Sequence, residues 1–575
     1  MDKETKEWSE YQKGIDYKNK INLFSMVDKN NRMYNDDQWY GVKSNGLITP
    51  QFNIIKRIVQ FKVSSILSNN VSINYFVEGI EDNPQDPDKQ NKSLVAQNLS
   101  KYSKTTWERL KLDQSNERIL KDGALSGDGI SYFFWNENIN TGQEVAGVKI
   151  MGDIDKEEID NVNYIPSNPN SNNVQTQRYN ILAFRKDIDD LKEEAKKNGM
   201  SEYDINLITS DTTTEHQAGD RAKIELDDPN KTICLLKLWR NKETGTIWAK
   251  KSTKSATIRK EWDTKLRRFP IALFNWEEIK NSTHGQADCT GIIPNQIVIN
   301  KLLSLAILAV QLTCYPKVIY NSQFIKKWSN IIGEAIPVSN GGDLNNVAKY
   351  LTPGNLSMDV YKIIDDVIRI TKDLSGASDP ATGSVQNPDN ASAIIAIQTA
   401  SAIPLESVQR RFYQYIEDVA LIFLDFYTTY YNVPRNLIIE EKGTKIPIEY
   451  NGNKFIDVAF RTKINVGPSS KFSEIAAIRT LDNLLQQDRI TFTEYLERVP
   501  DLVIPDKQGL IEDRKSQDVD KIIIDQTISQ FIQTLPDEIK QQLSQLDEQT
   551  MINEVKQMMV SQMGGGVQAG GEMIG

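Results

Sequence analysis

Between Gly285 and Tyr431, apolar positions recur at helical spacing in three long runs, and two turn-rich stretches separate them. The first run, GIIPNQIVINKLLSLAILAVQLTCYPK, places Pro294 where a helix can begin and Pro316 where one must end. From Pro294 to Tyr315 it predicts a rod of about 33 Å. The second, MDVYKIIDDVIRITKDLSGAS, sets Val360, Ile363, Ile364, Val367 and Leu374 on one face, with Asp359, Lys362, Asp366, Arg369 and Lys372 mainly on the others. The third, NASAIIAIQTASAIPLESVQRRFYQYIEDVALIFLDFYTTYY, predicts a helix of up to about ten turns kinked at Pro404. Its VALIFLDFYTTYY reads as aromatic core, and Arg410 and Arg411 either face a nucleic acid or, as helical neighbours favour, pair with Glu406 and Glu417. In the stretch between the first two runs, VIYN and AIPVS read as short strands, FIKKWSNII as a short helix, and GG and TPGN as turns. Between the second and third, residues 378–390 carry Pro380, Gly383 and Pro388, a length without regular structure that usually marks function or disorder.

The remainder alternates between helices and strands. Residues 1–75 read as amphipathic helices, with Ile54, Ile58, Phe61 and Ile66 following a cap at Thr49-Pro50. Trp39 and Tyr40 read as a small satellite core cluster. EGIEDNPQDPDKQNKS is a linker by composition, and a helix spans about Leu94 to Leu120. ISYFFW predicts a buried strand, NTGQ a turn and VAGVKIMG the returning strand, followed by an acidic turn with Asp153, Asp155, Glu157, Glu158 and Asp160. KDIDDLKEEAKKNGM predicts a charged surface helix ended by Gly199, and residues 205–225 a polar loop. ICLLKLWR, TIWAKKS and FPIALFNW read as strands of one sheet. After Tyr431, LIIEE, IPIEY and VAFRTKINVG form a strand-rich return. SKFSEIAAIRTLDNLLQ, ITFTEYLERV and DKIIIDQTISQFIQTL read as helices, and MGGGVQAGGEMIG as a disordered tail. The class is α+β, predominantly helical.

At 575 residues there is room for two to four domains, and 39% hydrophobic with 25% charged residues describes an ordinary polar-surfaced globular chain. Cys234, Cys289 and Cys314 are too scattered for disulfides or a zinc site and read as buried hydrophobes. His216 and His284 lack a partner at ligand spacing and read as surface or packing residues. GALSGDG has neither the spacing nor the lysine of a phosphate loop. The charged N-terminus is unlike a signal peptide, and Leu302–Val310 is too short an apolar stretch to cross a bilayer. A formal charge of −10 argues against a sequence-specific DNA binder, yet suits a passage through which phosphates must slide without being gripped.

The order of elements, from PNQIVINKLL through the compact insert to SGASDPATGSVQNPDNASAIIAIQTASAIPLESVQRRFYQYIED, resembles the core of tailed-bacteriophage portal (head–tail connector) proteins. GDGISYFFW and NYIPSNP resemble phrases of the portal wing. The resemblance implies a portal fold with wing, stem, clip and crown, forming a ring around a central channel. It places the wing at 1–284, stem helices at 285–316 and 358–377, the clip at 317–357, a tunnel loop at 378–390, the long kinked helix and wing return at 391–469, the crown at 470–560 and a disordered tail at 561–575. It implies a homo-oligomer, typically a dodecamer, at the unique capsid vertex of the virion, assembled in the bacterial host cytoplasm. Double-stranded DNA would pass through it. Its partners would be the terminase large subunit, the head–tail adaptor, and the major capsid and scaffolding proteins, with no membrane. Ser378, Asp379, Thr382, Gly383, Ser384, Gln386, Asn387 and Asn390 would line the channel, and Lys326, Lys327 and Trp328 would be clip contacts, Trp328 serving equally well as that module's own core. No catalytic, cofactor or metal residue is implied. A helical scaffold or interaction protein of the virion without a channel is the alternative. A nuclease or helicase needs a carboxylate cluster or phosphate loop that the sequence does not offer.

Overall fold

The computed structural model of the chain describes residues 4–44, 46–68, 70–77, 87–145, 147–210, 230–314, 317–329, 331, 334–339, 345–351, 358–377, 403–441, 444–455, 458, 460–467, 471–487, 489–499, 510–511, 555 and 558. It has two compact units, Met1–Gly467 and Pro468–Gly575. Among the described residues helices hold 47% and strands 25%, so the α+β class stands with a larger strand share than expected.

Helices α1 (Lys6–Lys20), α2 (Leu23–Tyr34) and α3 (Ile54–Leu67) open the first unit. The α3 cap is Asn53, whose Oδ1 accepts from the Lys56 amide at 2.9 Å, and not Thr49-Pro50. Asn53 wins because its Nδ2 also donates to the carbonyls of Met33 and Tyr34, fixing the turn before the helix. Trp39 donates to the Pro50 carbonyl, while Tyr40 lies exposed under Arg32. Asn70–Val77, expected to be helical, is strand β1, antiparallel to β14 (Phe460–Gly467), with Ile73 and Tyr75 buried in strict alternation. The helix expected at 94–120 is two, α4 (Pro87–Arg109) and α5 (Leu112–Ser126), broken where Lys111 adopts φ 51°. The supposed linker therefore includes the start of α4, and its residues 78–86 lie outside the described ones.

Gly127, at φ 94°, ends α5 and leads into β2 (Asp128–Val145), which runs past NTGQ before turning back as β3 (Val148–Ile159). NTGQ is a bulged region within β2, not the reversal, because the register slips on both sides of Asn140. Asp153, Asp155, Glu157 and Glu158 lie on β3 rather than in a solvated turn, and Asp160 follows its end. Asp153 accepts from the Tyr431 hydroxyl and pairs with Arg109 at 3.1 Å, while Glu158 pairs with Arg118 at 2.6 Å. β9 (Ile271–Asn275) pairs with the other edge of β2, so FPIALFNW joins this three-stranded sheet rather than its expected neighbours. Those neighbours form a five-stranded antiparallel sheet in sequence order: β4 (Tyr164–Pro166), β5 (Tyr179–Asp187), β6 (Lys231–Arg240), β7 (Ile247–Ser252) and β8 (Thr257–Asp263). Helix α6 (Ile188–Lys197), ended by Gly199 at φ 69°, and the short α7 (Glu202–Asn206) follow β5. His216 and most of the expected 205–225 loop lie outside the described residues.

From this body the chain rises in a hairpin, α8 (Asp288–Cys314) and α9 (Met358–Leu374), with β10 (Lys317–Tyr320) and β11 (Ala348–Leu351) between them, and returns as α10 (Glu406–Thr429). Helix α10 is the centre of the core: Phe412, Tyr415, Val419, Phe423, Phe426 and Tyr427 are all buried. Phe423 meets Phe133 edge-on at 5.3 Å, and Asp425 accepts the backbone N–H groups of Arg267 and Arg268, tying the loop before β9 to the helix. Pro404 lies in a 3-10 turn, Ile403–Leu405, and residues 391–402 of the expected long helix lie outside the described ones. Arg410 pairs with Glu406 as expected, but Arg411 donates to the Trp276 carbonyl. β12 (Arg435–Glu441) and β13 (Thr444–Tyr450) complete the strand return. In the second unit, α11 (Lys471–Gln486) is followed by α12 (Phe492–Arg498), which begins with a Thr491/Glu494 capping box. DKIIIDQTISQFIQTL and the 561–575 tail lie outside the described residues.

One buried lysine ties α1 to this body. Lys18 Nζ donates to the carbonyls of Asn161, Val162 and Tyr164 at 2.8, 2.9 and 2.6 Å. Burial pulls its pKa from an ordinary 10.5 down to about 7, against the pull of the nearby Asp128 charge. Between about pH 7 and 10.5 the unfolded chain therefore holds a proton here that the folded chain has released. Stability should rise with pH across that window and gain nothing from this site below it. Lys18→Met should flatten the rise in urea midpoint between pH 7 and 9.5; an unchanged slope would place its origin elsewhere.

Candidate functional site

The hairpin is set on the body by polar side chains that the sequence hides among apolar ones. At the base of α8, Asp128, the first residue of β2, accepts from the Gly285 amide at 2.7 Å and the Asn275 amide at 2.7 Å, and meets His284 Nδ1 at 2.6 Å. His284 is thus a buried packing residue, and Gly285 sits so close to the Gly127 and Glu277 carbonyls, 2.8 Å from where its Cβ would lie, that a side chain there would clash. Asp288 pairs with Lys62 of α3 at 2.6 Å. Two turns further on, Gln296 accepts from the Ile54 amide and donates to the Phe52 carbonyl. Asn300 donates to Gln38, and Ser304 donates to the Ile48 carbonyl. Helix α8 begins at Asp288, six residues upstream of the start expected at Pro294, which lies inside the helix.

Beyond Ser304 the hairpin changes character. Leu305, Val310 and Leu312 of α8 are exposed, and so are Ile363, Ile370 and Leu374 of α9, the last at 79%. The single apolar face expected on α9 is divided: Ile364 packs inward with Val367 and Ile368 half-buried beside it, while Ile363 and Leu374 face outward because α8 is narrow enough to cover only one stripe. Over eighteen residues α8 reaches a mean hydropathy of 1.9, enough by length and composition to cross a bilayer. Its hydrogen-bonded Gln296, Asn300 and Ser304 show instead a helix packed on a globular body. A groove of about 660 Å³ runs between α3, α8 and α9, lined by Phe52, Leu303, Ile307, Val310, Tyr361 and Ile368.

At the tip, β10 and β11 pair antiparallel, Lys317 opposite Leu351. The second strand of this ribbon was expected at AIPVS; it is AKYL, and residues 335–339 form no strand. The described residues of FIKKWSNII are not helical: the Asn321 side chain accepts from the Gln323 amide and its carbonyl from the Ile325 amide, so the chain turns at 322–324, and Asn330 and Ile332 lie outside the described residues. Lys326 and Lys327 are exposed. Trp328 is half-buried, stacked on Tyr320 at 5.8 Å and edge-on to Tyr350 at 6.4 Å, within the module's own aromatic cluster. The GG and TPGN turns lie outside the described residues. So do Ser378, Asp379, Thr382, Gly383, Ser384, Gln386, Asn387 and Asn390. Cys234 and Cys289 are buried as expected, with thiols pushed up to about 12 by desolvation, whereas Cys314 is exposed at the end of α8.

The helical hairpin thus stands on a polar-pinned base, presents exposed apolar side chains and carries a small β module at its tip. The chain belongs to the Phage P22-like portal protein family, whose model matches residues 196–570 and so takes in the hairpin, its insert, α10 and the second unit. No curated protein matches it. Membership carries a portal role in a bacteriophage, with assembly as an oligomeric ring at the capsid vertex, in a family that is structural rather than enzymatic.

Proposed function

We propose that twelve copies of this chain form the ring through which double-stranded DNA enters the capsid during packaging and leaves during ejection. The observation that carries this reading is the apolar surface left uncovered on both hairpin helices of a family member. Surface of this kind is stabilised when neighbouring copies remove it from water, at roughly 25 cal/mol per Å². In this reading residues 1–284 form the wing, α8 and α9 the stem and 317–357 the clip. The tunnel loop is 378–390, the long helix and wing return are 391–469, and the crown is 470–560. Ser378, Asp379, Thr382, Gly383, Ser384, Gln386, Asn387 and Asn390 border the passing duplex, and the net charge of −10 keeps the lining from gripping it. The exposed Lys326 and Lys327 with Trp328 form the clip surface that receives the terminase large subunit and then the head–tail adaptor. Major capsid and scaffolding proteins surround the ring during assembly in the host cytoplasm.

The mass of the purified chain in solution tests the reading. A single assembled species many times the 65.4 kDa of one chain is expected. A monomer under all assembly conditions would favour the channel-free scaffold.

A further inference from the structure

The hairpin carries a groove on one flank and a ridge on the other. In α9 a residue turns about 100° from the last, so Ile363, Ile370 and Leu374 fall within about 40° of one another and form the ridge. All three are exposed. Along one edge of that ridge run Asp359, Asp366 and Asp373, spaced seven apart, with Arg369 bridging to Asp366 at 2.9 Å and to Asp373 at 3.9 Å. On the opposite side of the same helix, Tyr361, Ile364 and Ile368 form one wall of the apolar groove, α8 supplies Leu303, Ile307 and Val310, and α3 supplies Ile54 and Arg57. The groove's charged rim is Arg57 and Lys372, with Asp365 beside them.

We infer that the ridge of one copy seats in the α3–α8–α9 groove of the next, with Asp366 and Asp373 meeting Arg57 and Lys372; this pairing rests on the ring reading above. A second copy is favoured as occupant by charge and by level. An apolar ridge edged by three carboxylates and the one guanidinium of Arg369 matches a groove whose rim holds two cations and one carboxylate. A two-fold pairing of ridge on ridge would instead set Asp359, Asp366 and Asp373 against their own images, and like charges so placed repel. The ridge spans residues 363–374 and the groove wall 361–372 of the same helix, so both lie at the same height on the hairpin. Joining them needs a rotation with little rise along the hairpin, the condition under which a heterologous contact closes into a ring instead of climbing into a filament.

The test uses the full chain with Cys314→Ser, since Cys234 and Cys289 are buried. Asp366→Lys with Asp373→Lys, and separately Arg57→Glu with Lys372→Glu, should each weaken assembly at least tenfold. All four substitutions together should restore it. Normal assembly of either two-site variant, or failure of the four-site variant to recover while the others remain folded by circular dichroism, overturns the pairing. As a second readout, Ile370→Cys with Ile307→Cys in wild-type charge background should give, on oxidation, a ladder of covalent oligomers by denaturing electrophoresis. Rings that form without a ladder overturn this pairing and leave the ring reading intact. A monomeric parent overturns both.

Discussion

Replacing Asp128 by Ala should cost the subunit about 3–5 kcal/mol, the cost of removing one partner from a buried charged network. Asp128 is 1% exposed and its two oxygens serve four groups. Oδ1 accepts from Asn275 and from the Gly285 amide, each at 2.7 Å, and Oδ2 meets His284 at 2.6 Å and Asn161 at 3.2 Å. With the carboxylate gone, the buried Gly285 amide and His284 Nδ1 lose this partner, at a desolvation cost of about 1–3 kcal/mol each, while Asn275 and Asn161 keep only their bonds to the Thr283 and Ser126 carbonyls. The damage is also positional, because the four groups belong to β9, the turn after β3 and the strand of chain that feeds α8. The check is a urea titration of the assembly-deficient Arg57→Glu/Lys372→Glu subunit with and without Asp128→Ala. A midpoint shift corresponding to under 1 kcal/mol would show that the network does not hold the hairpin base.

Phe423→Ala should be comparably severe, at about 3–5 kcal/mol, because the ring is fully buried and its loss leaves a cavity that α10 cannot collapse to fill. Phe133 meets it edge-on at 5.3 Å and Tyr427 lies 6.2 Å away, so both faces of the cavity are aromatic and rigidly held. In the same assay Leu374→Ala should change stability by no more than about 0.5 kcal/mol, since that side chain is 79% exposed. If Phe423→Ala matched Leu374→Ala, α10 would not be the centre of the core.

What the sequence revealed and what it hid follow from the range of the interactions involved. The hairpin helices and α10 were legible because their apolar spacing is local and long, and most of VALIFLDFYTTYY is buried, with Leu421 and Thr428–Tyr430 half-buried. Strand β1 was missed although V-S-I-N-Y-F-V alternates, because its partner β14 lies nearly four hundred residues away and nothing nearby announces it. The start of α8 was misplaced by Pro294, which has the right chemistry for a first turn, while the ion pair at the true first residue, Asp288, comes from Lys62 far upstream. FIKKWSNII had a helical pattern over too few residues to resist the Asn321 side chain, which offers the backbone a turn instead. Of the candidate site, Lys326, Lys327 and Trp328 lie in the insert between α8 and α9, and Trp328's edge-on contact with Tyr350 depends on a strand that the pattern assigned to another segment. The ridge on α9 escaped because apolar spacing alone cannot tell a face that packs on its own chain from one left for a neighbour.

Electron microscopy of the purified, assembled chain tests the central claim most directly. The account predicts a closed ring of uniform rotational symmetry, twelvefold, with an axial opening wide enough for duplex DNA. Solid particles, open filaments or monomers would contradict it.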